Sequence, residues 1–199
     1  MPQPFKGITV YQPDCLRRRP ELAVEIANIA SNWSQVEDRL LRLYALLMGA
    51  YAAKLPLPPH GGFQWPAQFH PLAYQIFDTI GTLNSRLDLL GSLLEAKGIA
   101  AEVLFYKETL RQRIRKTAGS RNLVVHGLWA IGFRDKKPKG GPREVLDGII
   151  LKPISGSAML YKLSDFLNIS SLIVSLRGEI EEFEAPIYER LQQEQNKLK

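Results

Sequence analysis

The sequence predicts an all-α protein, an antiparallel helical bundle that carries one small β-hairpin insertion. Apolar residues recur at the three- and four-residue spacing of a helix over several long segments. Proline and glycine, which break helices, are concentrated between those segments. Two short apolar runs stand on either side of a polar, glycine-rich turn at Lys136 to Pro142, which is the pattern of a hairpin.

The first predicted helix begins at Pro20, a residue suited to the first turn of a helix, and ends near Lys54. Ser34 and Glu37 have the spacing of a capping box. The segment is therefore either one continuous helix or two helices with a break near residues 31–33. The positions expected to face the core are Leu22, Ile26, Ile29, Trp33, Val36, Leu40, Leu43, Leu47 and Tyr51. Residues 55–71 are rich in proline and glycine and are predicted to form a loop.

Three more helices are predicted. The segment from Leu72 to Lys97 has the strongest helical pattern, and Gly98 is expected to cap its end. A helix from about Ala100 to Ala118 follows, and Ser164 with Asp165 caps a last long helix that Pro186 should kink or restart. The apolar positions assigned to these helices are Ile76, Ile80, Leu83, Leu87, Leu90, Leu94, Val103, Leu104, Leu110, Ile114, Leu167, Leu172, Leu176, Ile180 and Phe183.

The chain of 199 residues, 45% of them apolar, is long enough for one domain with a sizeable core. Residues 1–19 show no period and are predicted to be an irregular N-terminal arm. Residues 20–199 are predicted to be a single helical domain with the hairpin insertion at about 128–154. The sequence has no apolar signal segment and no run of ~20 apolar residues, so no membrane association is expected and the cytoplasm is the expected location.

Several classes of site are excluded by their missing motifs. The sequence contains no P-loop, no dinucleotide-binding glycine fingerprint, no H-E-x-x-H pair and no G-x-S-x-G elbow. Its single cysteine, Cys15, excludes a cysteine-based zinc site. His60 and His70 have no partner at metal-ligand spacing and are interpreted as ordinary loop histidines. No metal and no other cofactor is therefore predicted.

The most informative motif is the heptapeptide R-N-L-V-V-H-G, from Arg121 to Gly127. It resembles the signature of the HEPN superfamily of helical domains, in which an arginine, four to six intervening residues and a histidine mark metal-independent RNA-cleaving sites. An Asn, Asp or His commonly follows the arginine, and here that residue is Asn122. In HEPN toxins a tyrosine that can be modified stands two positions after the histidine, whereas this chain has Leu128 there.

The resemblance implies a HEPN-like bundle, a homodimer with a composite cleft, RNA as substrate, and an antitoxin or regulatory protein as partner. It also implies Arg121, Asn122 and His126 as the catalytic residues of a toxin or defence endoribonuclease. The residue types fit that chemistry independently. Histidine can serve as base or acid near neutral pH, and the arginine fork donates two hydrogen bonds to phosphate oxygens. Asn122 and His126, four apart on a helix, share one face. One copy offers one proton-transfer group, so a symmetric dimer would supply both acid and base.

The residues before the motif suggest a local anion site. Gly119 and Ser120 are interpreted as a break, with Ser120 capping a new short helix that begins at Arg121. Free backbone N–H groups would then attract a phosphate to that first turn. Gly127 is expected to end the helix.

The net charge of +6 is unevenly distributed. Basic residues are crowded before the motif and again in the hairpin turn, and acidic residues are concentrated towards the C-terminus. A basic surface around a phosphate site is what polyanion binding needs. The residues predicted to bind RNA are Arg111, Arg115, Lys116, Lys136 and Lys137.

Two functions of different class follow. The first is a metal-independent endoribonuclease that leaves a 2′,3′-cyclic phosphate. The alternative is a non-catalytic HEPN-like module that binds RNA or a protein, in which the motif is structural.

Overall fold

A computed structural model of the protein describes residues 2–5, 7–10, 15–49, 71–133, 145–146, 148–152 and 157–197. These residues form a mostly helical fold with a small antiparallel sheet, so the predicted combination of helices and a β insertion is confirmed at that level. The chain divides into two compact units. The first unit comprises Met1–Ser34 and Lys116–Ser175, and the second comprises Gln35–Arg115 and Leu176–Lys199.

Helix α1 (Pro20–Leu47) is continuous. The hydroxyl of Ser34 donates to the carbonyl of Ala30, 3.2 Å away and one turn earlier, instead of capping a new helix. Every predicted core position from Leu22 to Leu47 is buried except Ile26, which is half-buried. The helix ends at Leu47 rather than near Lys54, because Met48 and Gly49 form a turn in which Gly49 has φ of +68°. Tyr51 and most of the loop predicted at 55–71 fall outside the described residues.

The segment predicted as one helix from Leu72 to Lys97 is two, α2 (Pro71–Thr79) and α3 (Leu83–Ala96). Thr82 is the N-cap of α3, and its hydroxyl accepts from the backbone N–H of Ser85 at 3.1 Å. The apolar pattern did not predict the break because Ile80 and Leu83, on either side of it, are three residues apart, as in a continuous helix. Gly98 follows the end of α3 with φ of +66°, which confirms its predicted role.

The helix predicted to end near Ala118 extends to His126. Helix α4 (Ala100–Phe105) leads into a π-helical turn (Tyr106–Leu110) and then into α5 (Arg111–His126). A π turn contains an extra residue, so it shifts the helical phase. Leu104, which precedes this turn, is 58% exposed, contrary to prediction, while Tyr106 is fully buried.

Helix α6 (Leu163–Lys197) begins next to the predicted cap. The carboxylate of Asp165 accepts from the backbone N–H of Lys162 at 3.0 Å. Pro186 lies inside the helix, so the predicted restart does not occur. Leu167 and Leu172, assigned to the core, are 49% and 51% exposed, while Leu176, Ile180 and Phe183 are buried as predicted.

The β structure is a five-stranded antiparallel sheet rather than an isolated hairpin, in the order β1-β5-β4-β3-β2. Its strands are β1 (Gln3–Pro4), β2 (Ile8–Val10), β3 (Leu128–Phe133), β4 (Ile149–Lys152) and β5 (Met159–Tyr161). The predicted hairpin corresponds to β3 and β4, paired with Trp129 opposite Leu151. Residues 1–19, predicted to be irregular, contribute the two edge strands because β1 pairs with β5 and β2 pairs with β3.

Each unit has its own aromatic packing. In the first unit, Phe166 lies 5.7 Å from the ring of Trp129 and 5.7 Å from that of Tyr161. In the second unit, the rings of Tyr44 and Phe77 are 5.0 Å apart, and those of Tyr106 and Phe183 are 6.1 Å apart. These distances are within the range of favourable aromatic pairs.

One carboxylate of the second unit, that of Glu184, is largely buried. Glu184 is 14% exposed, its Oε2 lies 3.9 Å from the Arg39 guanidinium, and that oxygen has no hydrogen bond among the described residues. Burial raises the pKa of Glu184, and the charges of Arg39 and Arg42 oppose that rise only in part. The folded protein therefore binds a proton at the Glu184 carboxylate more tightly than the unfolded chain does. Stability is lost as the pH rises from the ordinary glutamate pKa of about 4.3.

We expect Glu184→Gln to reduce this pH dependence and to leave the free energy of unfolding at pH 8 unchanged or raised by about 1 kcal/mol. Urea unfolding at pH 4.5, 6 and 8 measures the effect. The matched control is Glu194→Gln, because Glu194 also pairs with an arginine, Arg190 at 3.3 Å, but is 52% exposed and should leave the slope unchanged. A variant that is clearly less stable than the wild type at pH 8 would contradict the sign of this effect.

Candidate functional site

The motif lies in the C-terminal part of α5 and not at the start of a new helix. Helix α5 passes through Gly119 and Ser120 without interruption. The hydroxyl of Ser120 donates to the carbonyl of Lys116 at 3.4 Å, the usual bond of a serine inside a helix. The predicted cap at Ser120 is therefore wrong. Thr117, Ala118 and Val124 are all buried, and this packing holds the helix together across the expected break.

The continuity of α5 through Gly119 and Ser120 changes the electrostatics expected at Arg121. Arg121 lies within the helix, so the first-turn N–H groups expected to hold a phosphate are not there. The motif is instead close to the C-terminal end, where the helix dipole is negative and disfavours anions. Any attraction for a phosphate must therefore come from side chains, first of all from the guanidinium of Arg121.

The structure brings the three motif side chains together. Nη1 of Arg121 donates to Oδ1 of Asn122 at 2.9 Å, and it lies 3.3 Å from Nε2 of His126. Arg121 is rotated about 100° around the helix from Asn122, but its long side chain spans that angle. Asn122 and His126 are exposed, and Arg121 is half-buried. The result is one hydrogen-bonded set with its proton-transfer group open to solvent.

The contact between Arg121 and His126 fixes the direction of their hydrogen bond. A guanidinium has five N–H donors and no acceptor, so it can only donate. Nε2 of His126 must then carry the lone pair, and the ring proton of the neutral imidazole is on Nδ1. In this arrangement Nε2 is ready to accept a proton from a substrate hydroxyl that displaces Arg121 from it.

Part of the Arg121 guanidinium is buried. Its Nε is buried and has no hydrogen-bond partner in the part of the chain that the structure describes. Val124, three residues further along α5, is fully buried. Burial of Nε leaves the terminal nitrogens as the part of the guanidinium that reaches the surface, and these are the donors that a phosphate would use.

Gly127 has a packing role that the sequence did not reveal. Helix α5 ends at His126, as predicted, and the N–H of Gly127 still donates to the carbonyl of Leu123 at 3.1 Å. A Cβ at this position would lie 2.6 Å from that carbonyl oxygen and would overlap the side chain of Leu151 on β4. A side chain at position 127 would therefore collide with the backbone of α5 as well as with Leu151 of β4.

Of the predicted RNA-binding residues, the structure describes Arg111, Arg115 and Lys116. Arg111 pairs with Asp88, and Nε of Arg115 donates to Asn84 at 2.9 Å, all within the second unit. Burial and the charge of Arg115 lower the pKa of Arg111. Lys116 is exposed but is ten residues from His126, roughly 15 Å along the helix axis. Lys136 and Lys137 lie outside the described residues.

Metal sites and membrane-spanning helices are two further features that the described residues allow to be assessed. Among the described residues, no group of three or more His, Cys, Asp or Glu side chains could hold a metal ion. Within the same residues, every helix is too short or too polar to cross a bilayer.

Comparison with known proteins gives no relative. No protein-family model matches the chain, and no curated protein or solved structure matches it significantly.

Proposed function

We propose that the protein is a metal-independent endoribonuclease of the HEPN type, acting as a toxin or defence effector in the cytoplasm. The observation that supports this most is the set of contacts made by Arg121, whose Nη1 touches both Asn122 and His126 at an exposed end of α5. A hydrogen-bond donor for phosphate oxygens, an orienting amide and a proton acceptor are thereby within reach of one phosphodiester.

In the proposed reaction, Nε2 of His126 takes the proton of the 2′-hydroxyl. The 2′-oxygen then forms a bond to phosphorus, and the bond from phosphorus to the 5′-oxygen breaks. Arg121 donates to the non-bridging oxygens, whose charge grows in the transition state, and Asn122 orients the scissile group. The products are a 2′,3′-cyclic phosphate and a 5′-hydroxyl, once the leaving 5′-oxygen has received a proton.

That last proton requires an acid, and each copy presents one histidine in this set. We propose that a second copy supplies it, with the two α5 ends facing each other across a two-fold axis. Leu128, two residues after His126, is 58% exposed, and such a dimer would cover it.

RNA would be bound mainly through its backbone. Lys116 is free to contact a phosphate outside the cleavage site, and Lys136 and Lys137 remain proposed contacts. Arg111 and Arg115 would have to share their donors with Asp88 and Asn84. An antitoxin or regulatory protein remains a proposed partner, because an unrestrained nuclease would damage its host.

The test is cleavage of a 5′-labelled single-stranded RNA by the purified protein in EDTA. We expect fragments that end in 2′,3′-cyclic phosphate, and no cleavage of the same oligonucleotide carrying 2′-O-methyl groups. The double variant Arg121→Ala/His126→Ala, purified in parallel, controls for contaminating ribonucleases.

Equal cleavage by the double variant and the wild type would rule out these residues as the site. Tight RNA binding without cleavage by either protein would favour the non-catalytic module instead.

A further inference from the structure

A groove in the second unit has an aromatic floor. It lies between α4 and the C-terminal half of α6, with a volume of about 330 Å³, and its apolar lining includes Ala101, Phe105, Phe183 and Pro186. The rings of Phe105 and Phe183 stack with centroids 5.8 Å apart. Phe105 is nevertheless 43% exposed, so one aromatic face is available to a ligand. We call this feature the α4/α6 groove.

The rim of the α4/α6 groove is acidic. Its polar lining consists of three glutamates, Glu102, Glu179 and Glu182. Arg113 pairs with Glu179 at 2.5 Å, while Glu182 is exposed and Glu102 is half-buried. The rim is therefore negative in a protein whose net charge is +6. Carboxylates around an aromatic face are the surroundings that a guanidinium or ammonium group prefers.

We infer that the α4/α6 groove binds a partner protein through a short basic segment, an arginine or lysine flanked by apolar residues. The cation would lie over Phe105 and between the carboxylates, and the flanking apolar side chains would cover Phe183 and Pro186.

A protein segment fits this groove better than the other ligands that its charge would admit. A small amine needs most of its surface enclosed for useful affinity, and this groove is open beside the exposed Phe105. Nucleic acid is repelled by the rim carboxylates. A helical or extended peptide gains affinity by lying along a surface and inserting a few side chains.

The test uses a fluorescein-labelled twelve-residue peptide with two arginines flanking a leucine pair, and fluorescence anisotropy with the full chain. We expect saturable binding that weakens about tenfold or more with Phe105→Ala or Glu182→Lys, the size of effect typical of a central contact. Replacing the arginines by citrulline, or the leucines by serine, should weaken binding to a similar degree.

Matched controls separate this site from general effects. Tyr74→Ala removes an aromatic ring that is 52% exposed on α2, and Glu21→Lys makes the same charge change at the start of α1. Both should bind the peptide like the wild type. The Arg121→Ala/His126→Ala variant should also bind normally, so this inference does not depend on the nuclease proposal.

Three results would overturn the inference. The first is the absence of binding by the wild type. The second is equal binding of the serine-substituted peptide, which would reduce the effect to attraction between charges. The third is self-association of the wild type that Glu182→Lys abolishes and the peptide inhibits, because a second copy would then occupy the groove. Circular dichroism of Phe105→Ala and Glu182→Lys checks that both variants are folded.

Discussion

Replacing His126 with alanine is expected to lower the rate of RNA cleavage about 10²- to 10⁴-fold, the usual contribution of a general acid or base. His126 is the proposed proton acceptor of the motif, and its Nε2 lies 3.3 Å from Nη1 of Arg121. Single-turnover cleavage of a labelled RNA in EDTA measures the effect. Because the side chain is exposed, the free energy of unfolding should change by no more than about 0.5 kcal/mol.

A second substitution separates proton transfer from hydrogen bonding. Asparagine can accept the bond from Arg121 but cannot transfer a proton near neutral pH, so His126→Asn should be as inactive as His126→Ala. Gln112→Ala, an exposed position on the same helix, is the control and should retain full activity. If His126→Asn retains most of the wild-type activity, the histidine has a structural role and the proposed mechanism is wrong.

Replacing Tyr106 with alanine is expected to lower the free energy of unfolding by about 3–5 kcal/mol, the range for a large aromatic side chain removed from a core. Tyr106 is fully buried. Its hydroxyl donates to the carbonyl of Leu87 at 2.7 Å, its ring is 6.1 Å from that of Phe183, and it packs against Gly91. Such a loss is a large part of the 5–15 kcal/mol that stabilises a typical domain.

Urea unfolding measures this loss, and Tyr106→Phe is the companion variant. It keeps the ring and removes only the hydrogen bond, so about 0.5–1.5 kcal/mol should be lost. Near-equal stability of the alanine and phenylalanine variants would mean that the ring contributes little, which would contradict the packing described for the second unit.

The parts of the fold that the sequence predicted are those governed by nearby residues. The core face of α1, the bounds of β3 and the positive φ of Gly98 follow from apolar spacing and from the conformational preference of glycine. These signals lie within a few residues of the feature that they specify. The same holds for the motif, since Arg121, Asn122 and His126 can meet because one helix carries all of them.

The parts that the sequence missed depend on residues far apart in the chain. Gly119 and Ser120 look like a break, yet burial of Ala118 and Val124 on either side keeps α5 intact. Strands β1 and β2 are too short to show an alternating pattern, and β1 forms only because β5, more than 150 residues later, pairs with it. The π-helical turn at Tyr106–Leu110 has no sequence signal that we recognise.

The close approach of Gly127 to β4 sets a strict limit on how this motif can vary in length. One residue separates the catalytic candidate His126 from the first residue of β3, and a side chain on that residue would collide with Leu151. Inserting a residue there would reverse which faces of β3 point inward, exposing Ala130 and burying its neighbours. Transfer of the heptapeptide to an unrelated helix would therefore also require the adjoining strands β3 and β4.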